Sequence, residues 1–170
     1  GEEKYLRRLR YEEMIDLPVD TLLAVGSSEL ARLTARYRDC AARIAPAAPL
    51  DSVVAMMRRD YPTKERLLDE VRAILADIRE YCVASGFIRL PSEAPVTVRA
   101  TPEYAASRSF ASFDSPGPLE EMARDTYYNV TLPGAGWDSA RVEQHLQGYS
   151  RWTLTSVSIH EVYPGHYVHF

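Results

Sequence analysis

Apolar residues in the first half of the chain recur every three or four positions, which is the spacing of one helical face. A first helix is predicted over residues 2–15 and ends before Pro18, and a second helix follows with Asp20 as its N-cap. The apolar positions of this second helix beyond Gly26 are Leu30, Leu33, Tyr37, Cys40 and Ile44. The pattern predicts a helical bundle in which these side chains form part of the core.

Two further helices complete a helical bundle segment predicted over residues 1–86. The shorter one covers residues 51–59. The longer one begins at Thr63 and ends at Gly86, a residue typical of helix C-terminal caps. Its apolar stripe consists of Leu67, Leu68, Val71, Ile74, Leu75, Ile78, Tyr81 and Cys82. A stripe this broad predicts a central member of the bundle.

The helical spacing is lost between residues 87 and 137, where prolines are frequent. Stretches that favour β-structure at residues 96–98 and 126–131 predict two or three short strands joined by irregular segments. Asp138 can then cap a helix, and residues 138–170 are predicted to be one or more helices. The expected fold class is mainly α (α+β), in one incomplete domain.

Composition and charge exclude several classes of protein. The net charge of −4, with acidic and basic residues mixed, predicts no nucleic-acid partner. No apolar run is long enough to span a membrane, and the first residues lack a signal peptide, so we expect a cytoplasmic location unless a signal precedes Gly1. Cys40 and Cys82 are predicted to be reduced core thiols. Because the chain starts without methionine and ends inside a histidine-rich motif, we expect a fragment of a longer protein.

The chain ends in HEVYPGHYVHF, which holds three of its four histidines. Imidazole is the commonest protein ligand of zinc, and a carboxylate beside a ligand can act as a general base on water. In a regular helix, however, His166 would lie about 120° away from the face of His160. A shared metal therefore requires a distorted helix. Pro164 lacks a backbone donor and Gly165 tolerates unusual backbone angles, so they could form a two-residue bulge that returns His166 to an i+4 position.

Spacing alone leaves open that this motif only ends a helix, because Pro-Gly is an ordinary helix terminator. HEVYPGH resembles the HExYPGH signature of domain of unknown function 885, a mainly bacterial family similar to gluzincin-type zinc metallopeptidases. The charged helical opening, GFIRLP at residues 86–91 and TYYNVTLP at residues 126–133 resemble the family in the same order. The resemblance covers most of the chain and implies an internal stretch of a larger gluzincin-like fold.

The resemblance implies zinc-dependent hydrolysis of peptide bonds. His160 and His166 match the family's zinc ligands, and Glu161 matches its catalytic base. The third ligand, a glutamate on a later helix in gluzincins, would come from the rest of the polypeptide beyond Phe170.

Several nearby residues have open roles. Tyr127, Tyr128 and Asn129 could line a peptide-binding cleft, with packing as the alternative for the tyrosines, and an exposed strand beside the motif could pair with an extended peptide. His169 is expected to be structural and His145 to be an exposed helix residue. Two alternative functions also stay open: a non-catalytic helical scaffold or binding module, and a metal hydrolase that acts on non-peptide amides or esters.

Overall fold

The computed structural model describes residues 1–117, 119, 120, 122 and 125–169. The chain divides into two compact units, Gly1–Val54 and Ala55–Phe170. This boundary lies well before residue 86, where composition places the end of the helical segment. The predicted fold class is confirmed, since helices predominate and the strands form one small sheet.

The first unit contains α1 (Glu2–Glu12) and α2 (Val19–Ile44), and α3 (Leu50–Met57) begins in it. Pro18, rather than Asp20, occupies the N-cap of α2. Proline suits the start of a helix because its fixed φ and missing N–H cost nothing there. The predicted Asp20 cap is therefore wrong, and its carboxylate lies in the first helical turn instead.

The apolar face predicted for α2 is exposed. Leu30 and Leu33 each expose more than half of their surface, and Cys40, predicted to be a core thiol, is exposed and free. The buried residues of this unit are Ala41 and Val53. Helical spacing determines which side chains share a face, but burial requires an opposing element, so the core prediction is wrong for this face within the first unit.

The second unit combines a three-stranded sheet with helices. Its strands are β1 (Thr97–Ala100), β2 (Ala111–Asp114) and β3 (Tyr127–Val130), and its helices are α4 (Leu67–Ser85), α5 (Glu103–Ala106), α6 (Ser139–Gln147), α7 (Arg151–Glu161) and α8 (His166–His169). The strand order is β1-β3-β2, with β1 parallel and β2 antiparallel to β3. β2 thus forms one edge of the described sheet, next to α7.

Predictions based on local chemistry succeed best in this unit. Gly86 caps α4 with a left-handed φ of 64°. The side chain of Asp138 accepts a hydrogen bond from the backbone N–H of Arg141 at 2.8 Å and so caps α6. α4 begins at Leu67, later than the predicted Thr63, since the residues just before it form a turn.

One core joins the sheet to α4 and α7. On the sheet, its buried members include Val98, Ala111, Tyr128 and Val130; on α4 they are Leu67, Val71, Leu75 and Cys82. Leu154, Ser158 and Val162 form a buried row at four-residue spacing along α7 and just beyond it. Since α7 packs against both α4 and β2, its last turn lies beside the edge of the sheet. Among the described residues, none of the helices is both long and apolar enough to cross a bilayer.

Candidate metal centre

α7, which carries the first half of the histidine motif, is fixed at its start. Ser150 caps it by accepting a hydrogen bond from the Thr153 N–H at 3.3 Å. Arg151 pairs with Asp60 at 3.1 Å and with Glu70. Arg151 and Asp60 are both half exposed, so their ion pair contributes little stability, whereas the Glu70 carboxylate is largely buried beside Arg151.

The hydrogen bonds after α7 show a two-residue insertion. In a continuous helix, the Ile159 carbonyl would accept from the N–H of residue 163. Here it accepts from the N–H of Gly165, at 3.0 Å. The chain is therefore displaced by two positions, and His166 comes where the residue four after His160 would otherwise lie. The distortion of the helix that the spacing predicts is present.

Gly165 is required by a close approach between backbones. A Cβ atom at this position would lie 2.6 Å from the carbonyl oxygen of Ile159 and closer still to the carbonyl of His160. Among the glycines of the described residues, Gly86 alone has a positive φ. The expectation that Gly165 supplies unusual backbone angles is therefore wrong, and the tight packing of the turn against α7 is the reason for glycine.

This insertion brings His160, Glu161 and His166 together. Each offers one ligand atom, and these atoms lie within 4.8 Å of one another. The two imidazole rings are 4.9 Å apart between centroids and inclined at 75°. With His169, they line an open pocket of about 510 Å³. Imidazole nitrogens and carboxylate oxygens are donor types that zinc accepts, so the chemistry of this cluster suits the ion.

Glu161 also contacts the sheet. Its Oε2 accepts a hydrogen bond from the backbone N–H of Phe113 in β2, at 3.2 Å. β2 lies outside the two stretches predicted to form strands, residues 96–98 and 126–131. Its signal is the alternation of apolar Ala111 and Phe113 with polar Ser112 and Asp114, which is too short to be decisive alone.

A buried hydrogen bond links β3 to α7 two residues before His160. The Tyr128 hydroxyl and the Ser158 Oγ are 3.3 Å apart, and both residues are 0% exposed. Burial raises the pKa of Tyr128 to about 12, so its hydroxyl stays protonated at neutral pH.

The model of a family described as bacterial proteins of unknown function, DUF885, matches residues 1–170. The chain belongs to the DUF885 family. No curated protein matches this DUF885 chain. A solved structure from Shewanella oneidensis, described as a "putative lipoprotein of unknown function", is similar over 99% of the chain, with 24% identity and a TM-score of 0.80. This likeness shows a shared fold, and the DUF885 chain spans 31% of the length of that structure.

The residues predicted to contact substrate lie on β3 and differ in exposure. Tyr128 faces the core, and Asn129 is 2% exposed with its polar atoms hydrogen-bonded within the sheet. Tyr127 is half-buried, with the guanidinium of Arg99 3.6 Å from the centre of its ring. Direct contact with a peptide stays a prediction for all three residues.

His145 of the DUF885 chain belongs to a separate aromatic cluster. Its Nε2 lies 2.9 Å from the Thr131 carbonyl oxygen, and its ring packs against Trp137 and Tyr149. The prediction of an exposed helix residue is wrong, because these aromatic neighbours leave His145 only half exposed.

Proposed function

We propose that this DUF885 chain carries part of the active site of a zinc-dependent peptidase. The proposal rests on the convergence of His160, Glu161 and His166 at the end of α7. His160 and His166 would hold the ion, and another part of the polypeptide would provide a third ligand. When bound, zinc supplies Lewis acidity, which lowers the pKa of a water molecule to about 7 and polarises a carbonyl group.

Glu161 would carry the proton in this reaction. Its carboxylate follows His160 directly, and one of its oxygens lies within 4.8 Å of the imidazole nitrogens. As a general base, it would accept a proton from the attacking water and return it to the leaving amine nitrogen. The Phe113 N–H would orient the carboxylate by holding its Oε2.

The position of β2 supports a peptide as the substrate. The N–H of Thr131 donates to the Phe110 carbonyl, which starts the antiparallel pairing between β3 and β2. Since every second residue bonds across such a pair, Ala111 and Phe113 turn their backbone groups away from β3. Because the Phe113 N–H is bound to Glu161, an extended peptide would pair with the remaining backbone groups on this side of β2 and present its carbonyl near Glu161.

Two variants of the intact protein test the assignment. Glu161→Gln should retain zinc and lose peptide hydrolysis, because the ligands remain and the base is lost. His166→Ala should lose both zinc and hydrolysis, because one ligand is removed. The measurements are zinc content and cleavage of a peptide library with and without a chelator. Glu80→Gln, the same chemical change at an exposed site on α4, is the matched control.

Each alternative function has its own outcome in this experiment. A zinc-free protein without chelator-sensitive hydrolysis would favour the helical scaffold or binding module. A zinc protein that cleaves only esters or non-peptide amides would favour the other hydrolase. Full activity of either site variant would contradict the proposed roles.

A further inference from the structure

The side chain of Asn129 is buried at the centre of the sheet and bonds to both neighbouring strands. On one side, its Oδ1 accepts from the Nε of Arg99 in β1, at 2.7 Å. On the other side, its Nδ2 donates to Asp114 Oδ2 at 2.8 Å and to Ser112 Oγ at 3.2 Å, both in β2. The partners include a charged side chain on each side, Arg99 and Asp114, and hydrogen bonds to charged groups are stronger than those between neutral groups.

The β2 residues that Asn129 binds flank Phe113, which contacts the candidate base Glu161. Phe113 lies between Ser112 and Asp114, and its backbone N–H donates to Glu161. The N–H of Phe113 points away from β3, so hydrogen bonds to β3 hold it only through its two neighbours. These neighbours are the residues of β2 that Asn129 binds.

β2 needs such a restraint because it has four residues and one neighbouring strand in the described sheet. Short edge strands have low local stability. The Phe113 ring, on the opposite face, packs against the core and meets the edge of the Tyr167 ring, with centroids 6.0 Å apart. The hydrogen bonds of Asn129 add a polar side-chain restraint on both residues that flank Phe113.

We infer that Asn129 is a positioning residue, which holds β2 where the Phe113 N–H meets the carboxylate of Glu161. The inference rests on the proposed function for its catalytic consequence, but the position of β2 can be measured without activity. In this role Asn129 acts through Phe113, which is an alternative to the cleft-lining role predicted from the sequence.

Asn129→Asp tests this role with little change in volume. One oxygen of the new carboxylate can still accept the hydrogen bond from Arg99. The other replaces the Nδ2 donor and would face Asp114 Oδ2 across the 2.8 Å contact, so two carboxylate oxygens would repel each other. Amide hydrogen exchange at Phe113 in the zinc-free protein should become about 10- to 100-fold faster. Peptide kcat/KM should fall by about tenfold or more, with the Kd for zinc unchanged.

A second substitution distinguishes positioning from general damage. Adding Asp114→Asn to Asn129→Asp restores a donor and an acceptor in reversed order and should return both the Phe113 exchange rate and kcat/KM towards the unsubstituted values. Gln144→Glu, the same chemical change at an exposed site on α6, should alter neither. Unchanged Phe113 exchange in Asn129→Asp, or faster exchange with normal kcat/KM, would overturn the inference. If the unsubstituted protein hydrolyses no peptide, the proposed function fails, while Phe113 exchange and its rescue still decide whether Asn129 holds β2.

Discussion

Replacing Gly165 by alanine should disturb the metal centre without touching any candidate ligand. The new Cβ would lie 2.6 Å from the carbonyl oxygen of Ile159, well inside van der Waals contact. The obstructing atoms belong to the backbone of α7, so no side chain can rotate away to make room. Overpacking of this kind costs about 1–3 kcal/mol. Separation of the turn from α7 would also weaken the hydrogen bond between Gly165 and Ile159, which contributes about 0.5–1.5 kcal/mol.

The cost should appear in metal binding, because His166 directly follows the displaced residue. If this cost of about 1–3 kcal/mol destabilises the zinc-bound state relative to the zinc-free state, Gly165→Ala binds zinc about 5- to 150-fold more weakly. Competition with a chelating indicator measures the Kd, and chemical denaturation of the zinc-free protein measures stability. Gly136→Ala is the matched control, since no atom lies within 4 Å of a Cβ built there. Equal zinc affinity in Gly165→Ala and Gly136→Ala would refute the reasoning.

Two further predictions concern the buried hydroxyl pair beneath the site. Tyr128→Phe leaves the buried Ser158 Oγ without this partner and should lower the free energy of unfolding by about 1–3 kcal/mol, with part of the loss recovered when Ser158→Ala is added. Denaturant titration of the single and double variants measures this coupling, and strictly additive losses would contradict it. The pKa of Tyr128 is raised from 10 to about 12, so the neutral hydroxyl is favoured in the folded state. The associated stabilisation is complete below pH 10 and should be lost as the pH rises to about 12, by about 3 kcal/mol. Tyr128→Phe should make this decline less steep, while Tyr149 and Tyr163, whose pKa values burial also raises, keep part of it. An equally steep decline in that variant would rule out a contribution from Tyr128.

Features fixed by local chemistry could be predicted from the sequence. Gly86 and Asp138 act as caps because a left-handed φ and an exposed helix N-terminus each favour particular residues. The insertion at Pro164-Gly165 follows from a similar argument, since the histidine spacing conflicts with a regular helix. The reason for Gly165 needed coordinates, because it depends on how closely the turn approaches α7.

Features that depend on distant partners could not be predicted. β2 has four residues, and its pairing with β3 and its contact with Glu161 join segments far apart in the chain. Cys40 follows the helical spacing of α2 yet is exposed, because periodicity does not specify an opposing surface. His145 is half-buried because the nearby rings of Trp137 and Tyr149 pack against it and its Nε2 meets the Thr131 carbonyl, contacts that depend on how the chain turns before and after α6.

The central claim is that His160, Glu161 and His166 form part of a zinc site. Zinc analysis of the purified intact protein and of its His166→Ala variant tests it most directly. We expect one zinc ion per chain in the unsubstituted protein and loss of zinc in His166→Ala. A protein that contains no zinc and does not acquire it when supplied, or a His166→Ala variant that retains the ion with equal affinity, would contradict the claim.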